Sequence, residues 1–285
     1  PQPPRLSRTK FLAFGDSFTA GEVTNPAGAV PSGIHKLILV PTASYPSVLQ
    51  SQLRSTYAAQ SGSISVVNSG EASERILDGN QRFPGVFDAN RPEVVLLMEG
   101  ANGLPQVGPD ISTGVMRLMV QTAKNGGARV FVGSMIPQVA GRPRATTPVS
   151  DLVAYNNTLQ IMSTQEGVTY VDVYSPMLPD AATLIGSDGL HPTEAGYRKI
   201  AELFFAAIRT ALETRLRNFL DKKRRTSSAL LEYQPPHGKG STRARRLRRA
   251  GRRLRRRAHA PDRFRPGRAP VAHALRRIRR QPHGR

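Results

Sequence analysis

Ser17, Asp188 and His191 are the residue types that together perform nucleophilic acyl chemistry. Ser17 stands in FLAFGDSFTAGE (11–22), where an apolar run gives way to Gly15-Asp16-Ser17 and then to a helix pattern. A serine hydroxyl is a weak nucleophile at neutral pH and needs a general base beside it, usually an imidazole. Of the six histidines, only His35 and His191 precede residue 222. His191 lies in SDGLHP (187–192), with Asp188 three residues earlier in a Gly-containing turn. That spacing lets a carboxylate reach the Nδ1–H of the imidazole and fix its tautomer, leaving Nε2 for a serine. His35 lies in a long loop with no carboxylate near it and reads as a surface or substrate-loop histidine. Each fragment alone has a plainer reading. Asp and Ser cap helix starts, and most Asp-x-x-His matches are turn or cap residues.

Chemistry of this kind needs a frame that brings distant segments to one edge. Five short runs rich in Val, Ile, Leu and Phe recur at 10–14, 64–68, 93–98, 129–134 and 168–173. Stretches with helical spacing lie near 45–58, 110–125, 149–165 and 193–218; the last places Ile200, Leu203, Phe204, Ala207 and Ile208 on one face. Continuous apolar strands alternating with helices predict a parallel sheet covered on both faces. Five such strands suit a flavodoxin-like three-layer α/β/α sandwich with a five-stranded parallel sheet, in which ligands bind beyond the carboxyl ends of the strands. The segments following those ends are Gly15-Asp16-Ser17, Asn68-Ser69-Gly70-Glu71-Ala72-Ser73, Glu99-Gly100-Ala101-Asn102-Gly103 and Ser187-Asp188-Gly189-Leu190-His191-Pro192. Four polar, Gly-containing clusters are thereby expected on one edge.

Charge divides the chain in two. The whole carries 41 Lys/Arg against 20 Asp/Glu, but residues 222–285 hold 23 of those bases and two acids, Glu232 and Asp262. Residues 1–221 are therefore formally neutral, with 18 of each sign. A segment centred on RARRLRRAGRRLRRRAHA repels itself and cannot build a core, so 221–285 reads as a disordered Arg-rich tail. It would suit nonspecific polyanion or anionic-membrane contact, with affinity that falls as salt rises. An abrupt shift to residues of GC-rich codons also fits out-of-frame or read-through translation. With no cysteine, disulfides, thiolate metal sites and a cysteine nucleophile are excluded. No apolar run reaches the roughly 20 residues that span a bilayer. The opening PQPPRLSR reads as a Pro-rich linker over 1–9, either following a removed signal or lipid-anchor segment, which would place the protein outside the cytoplasm, or set by an arbitrary boundary. The expected catalytic domain is 10–220.

The four clusters, in their order and intervals, resemble the four sequence blocks of the SGNH (GDSL) hydrolases over roughly residues 10–215. The resemblance implies a flavodoxin-like fold and hydrolysis of carboxylic esters or thioesters without a metal or organic cofactor. It implies Ser17 as nucleophile, His191 as base and Asp188 as its orienting partner. The oxyanion hole would use the Ser17 N–H, a second-block N–H at Ser73, supported by Gly70, and the Asn102 side chain. Two positions depart from the family pattern. Ser73 stands where a glycine is usual, which strains a serine if φ is positive there, and Gly103 stands where Asp usually follows Gly-x-Asn.

The implied activity is that of a serine esterase acting on small ester substrates, with short-chain acyl esters foremost. An acyl-transferring or weakened relative, and a polyanion-binding protein working through its tail, are the alternatives. Asp16 is read as a helix-start carboxylate, turned away from Ser17 by strand alternation. Segment 22–44 is long for an α/β connection, and its Ile34, Leu37, Ile38 and Leu39 would either wall a substrate pocket or cover a sheet edge. Asn156-Asn157-Thr158 matches a glycosylation sequon but falls inside a helical pattern.

Overall fold

The computed structural model describes residues 3–29 and 35–214. The basic tail 221–285, the boundary near 220 and Ile34 lie outside the described residues. The strands, in chain order, are β1 (Arg5–Leu6), β2 (Lys10–Gly15), β3 (Glu22–Ala29), β4 (His35–Leu39), β5 (Ser65–Gly70), β6 (Val94–Met98), β7 (Arg129–Gly133), β8 (Thr169–Val171) and β9 (Glu213–Thr214). The helices are α1 (Ser17–Ala20), α2 (Tyr45–Thr56), α3 (Ile76–Asn90), α4 (Leu104–Asn125), α5 (Val149–Glu166), α6 (Tyr174–Met177), α7 (Ala181–Leu184) and α8 (Glu194–Leu212).

The five apolar runs form one parallel sheet in the order β5-β2-β6-β7-β8. Helices cover both faces, α2 packing with α8 on one and α3, α4 and α5 following one another on the other. This double cover explains the unbroken apolar strands: Phe11 to Phe14 on β2 and all of β6 are buried. The edge strand β5 keeps one half-wet face, with Val67 exposed. The strand order reverses direction between β2 and β6, and crevices form at the carboxyl ends where it does so.

Four elements differ from the sequence expectation. Helix α3 was hidden by Gly79, Pro84 and Gly85, which read as breakers, yet Ile76, Phe83 and Phe87 give it a buried stripe. Helix α4 is assigned from Leu104, but Gly108 (φ +76°) interrupts it, so its regular part starts at Pro109, close to the expected 110. Segment 22–44 contains an antiparallel hairpin, β3 with β4, rather than an irregular loop, and His35 opens its second strand. Finally, Arg5–Leu6 is no free linker: it pairs antiparallel with Glu213–Thr214, and Leu6 is buried. The Gln60 side chain closes that corner, accepting from the Leu6 N–H and donating to its carbonyl.

Candidate active site

Strand β2 delivers Ser17 to the carboxyl edge of the sheet and turns at once into α1. Asp16 is the N-cap, accepting from the Phe18 N–H at 3.0 Å. Its other oxygen accepts from the Ala101 and Gly100 N–H groups, at 2.9 and 3.2 Å. The sequence reading of Asp16 as a turn carboxylate was therefore too narrow, because it also ties the first block to the third. Burial pushes its pKa up to about 6 even though these three N–H donors and His191 favour the charged form. As first residue of α1, Ser17 keeps a backbone N–H that the helix ladder does not use.

The 187–192 turn brings the other two groups. His191 Nε2 lies 3.0 Å from Ser17 Oγ, and His191 Nδ1 lies 2.6 Å from Asp188 Oδ2. The second Asp188 oxygen accepts from the N–H groups of Leu190 and His191, both at 3.0 Å. Burial works against the Asp188 charge, but the hydrogen bond from His191 and these backbone donors outweigh it and hold the carboxyl below its usual pKa. The Arg144 N–H donates to the Asp188 carbonyl at 2.8 Å, and its guanidinium Nε stands 3.8 Å from Oδ2. Phe18 meets the imidazole edge-on at 5.8 Å. A base oriented by a carboxylate and in reach of a hydroxyl can take the proton of that hydroxyl as it attacks a carbonyl.

The second and third blocks flank Ser17. The Asn102 Nδ2 donates to the Glu74 carbonyl at 3.0 Å. An amide nitrogen carries two hydrogens, so one remains for a ligand. Ser73 has φ +65°, the left-handed region that a glycine adopts without cost. Gly70 backs against α1: a Cβ there would overlap the Ala20 backbone nitrogen. Its own N–H is taken by Asn68 Oδ1 at 3.0 Å, so Gly70 fixes the approach of the two segments and its donor is already engaged. Gly103 has a comparable reason, since a Cβ would come within 2.9 Å of Ile76 at the start of α3. Asp16, bonded to the Gly100 and Ala101 N–H groups, supplies carboxylate support to the third block from outside it.

Two features escaped the sequence reading. Glu22, the first residue of β3, places Oε2 3.6 Å from His191 Nε2. Tyr197 fixes that corner, donating to the Glu22 carbonyl at 2.6 Å. The only available signal was position, five residues past Ser17. The second feature is half-buried Arg82, brought by a helix that sequence periodicity did not reveal against exposed Glu71 and buried Glu74 of the second block. Asn156 belongs to structure: its amide bonds both the N–H and the carbonyl of Met135. On the hairpin Ile38 packs on the core, Leu37 is half-buried and Leu39 is exposed, while Val23 of β3 is buried. The side chain of His35 lies outside what the structure describes.

Residues 13–199 match the family model described as the GDSL-like lipase/acylhydrolase family. The chain belongs to that family. Membership makes it a carboxylic ester hydrolase by reaction class. Solved structures agree in fold. The aryl esterase of M. smegmatis is 19% identical with TM-score 0.57, the match covering 71% of this chain and 99% of that one. A lipase/acylhydrolase from Enterococcus faecalis is 20% identical with TM-score 0.55, covering 73% and 98%. The psychrotrophic esterase EstA from Pseudoalteromonas sp. is 19% identical with TM-score 0.53, covering 70% and 96%. No curated protein sequence matches the chain significantly.

Proposed function

We propose that this GDSL hydrolase cleaves short-chain carboxylic esters through an acyl-enzyme on Ser17. The observation that carries the reading is the unbroken relay from Asp188 Oδ2 to His191 (2.6 Å) and from His191 to Ser17 Oγ (3.0 Å). Ser17 Oγ attacks the ester carbonyl carbon while its proton passes to His191 Nε2. Asp188 holds the Nδ1–H and steadies the imidazolium. The carbonyl oxygen, now negative, takes hydrogen bonds from the Ser17 N–H, the Ser73 N–H and the second Asn102 hydrogen. Preorganised donors of this kind act most strongly on the charge that develops in the transition state. Collapse of the tetrahedral adduct breaks the ester C–O bond, and the alcohol leaves with the proton from Nε2. Water then repeats the cycle, giving the carboxylic acid and free Ser17. Ser17 is 2% and His191 3% exposed, so the relay is shielded from bulk water.

The test is release of p-nitrophenol from acetate, butyrate and longer esters. Ser17→Ala and His191→Ala should each lose nearly all turnover, since removing nucleophile or base from a serine protease costs about 10⁶-fold. More than about a tenth of activity left in Ser17→Ala would overturn the assignment. A rate that rises with acyl length would overturn the short-chain part alone.

A further inference from the structure

Helix α3 returns one cation, Arg82, to the loop that precedes it. Its Nε and Nη2 grip the Glu74 carboxylate from two sides, at 2.7 Å to Oε1 and 2.6 Å to Oε2. Nη2 also donates to the Ser69 carbonyl at 3.1 Å, and Nε lies 3.1 Å from Glu71 Oε2. The guanidinium stacks on Phe14, 4.2 Å from the ring centroid, three residues before Ser17 on the same chain segment. Arg82 therefore holds the 69–74 loop at Ser69, Glu71 and Glu74 and references it to β2. The Glu71 N–H strengthens that reference by donating to the Gly15 carbonyl at 2.9 Å.

Two elements of the proposed oxyanion site hang on this clamp. Ser73, at φ +65°, lies between the gripped Glu71 and Glu74. A non-glycine residue persists in that conformation only when its surroundings over-determine it. The Glu74 backbone carbonyl, fixed by the same grip, accepts from Asn102 Nδ2 at 3.0 Å and so orients that amide. Glu74 is 8% exposed, so its charge has little water to fall back on. We propose that Arg82 is a positioning residue for oxyanion stabilisation, holding the strained Ser73 turn and, through Glu74, the Asn102 amide. This rests on the serine-esterase reading above. The planar fork matters as much as the charge, because a lysine offers a point donor that cannot grip both carboxylate oxygens, the Ser69 carbonyl and the Phe14 face together.

The test is a kinetic cycle with p-nitrophenyl acetate on the full chain. Arg82→Lys should lower kcat about tenfold with KM within twofold, because the lost alignment acts on the transition state and not on substrate binding. Adding Ser73→Gly relieves the positive φ, so Arg82→Lys made in a Ser73→Gly background should lose less than threefold in kcat. A purely structural arginine would lower Tm by the same amount in both backgrounds and show no such selective rescue. If Arg82→Lys does not fold, Arg82→Met with Glu74→Gln removes both charges at once and strands neither; the same kcat loss and the same rescue are expected. A kcat within twofold of wild type, a loss confined to KM, or failure of Ser73→Gly to rescue overturns the proposal. An active wild type with a dead Ser17→Ala variant would still leave the esterase reading standing in that event. An inactive wild type would remove both.

Discussion

Asp188→Asn is the substitution for which the structure dictates the outcome most closely. One oxygen of Asp188 accepts from the Leu190 and His191 N–H groups and the other from His191 Nδ1. An asparagine can satisfy both backbone donors only by placing its carbonyl oxygen on their side. Its NH₂ group then faces Nδ1, which must become an acceptor, and the ring proton moves to Nε2. The flipped amide would set its NH₂ against two N–H groups, losing two hydrogen bonds worth about 1 kcal/mol each, so the first arrangement wins. With the proton on Nε2, His191 donates to Ser17 Oγ and cannot accept from it. The same change in a serine protease costs about 10⁴-fold in kcat, which is about 5.4 kcal/mol of barrier. Both backbone bonds survive, so Tm should stay within a few degrees. Asp188→Ala, by contrast, leaves two buried N–H groups without an acceptor and should lower Tm as well as kcat. The assay is kcat for p-nitrophenyl acetate beside a thermal melt. An Asp188→Asn variant that folds normally and keeps more than about a tenth of wild-type kcat would refute the reasoning, because something other than Asp188 would then be setting the tautomer.

Asn102→Ala should lower kcat about 10²–10³-fold with KM little changed, as for loss of one preorganised oxyanion donor; a change confined to KM would mean that Asn102 binds substrate and transition state alike. Asp16 links stability to pH. Its folded pKa of about 6 is raised above the ordinary 3.8, so the folded state binds that proton more tightly than the unfolded chain. Its contribution is therefore fully present below about pH 4 and lost as pH rises through 6, by about 3 kcal/mol. Melts of wild type and Asp16→Asn between pH 4 and 8 should show the Tm difference moving in favour of the Asn variant as pH rises; a difference that does not change with pH would remove the buried-carboxyl argument.

Much of the frame was legible because it depends on local chemistry. Continuous apolar runs such as Phe11 to Phe14 and Val94 to Met98 form strands wherever both faces of a sheet are covered. Their alternation with helical patterns leaves few topologies, and the carboxyl ends of those strands mark where Ser17, Asn102 and His191 must lie. Asp188 was legible because three residues of a tight turn bring its carboxylate to its own histidine. What remained hidden depends on contacts between segments distant in sequence. Arg82 reaches the second block only because α3 forms through Gly79, Pro84 and Gly85, where local propensity opposes a helix and the packing of Ile76, Phe83 and Phe87 overrides it. Glu22 comes within 3.6 Å of His191 because the β3–β4 hairpin folds back beside the site. Arg5–Leu6 becomes a strand only by meeting Glu213–Thr214, more than two hundred residues away. Ser73 belongs to both sides. Sequence identified it as a serine where a glycine is usual, and the tertiary structure decided that it must bear φ +65° because the loop around it is clamped from three positions.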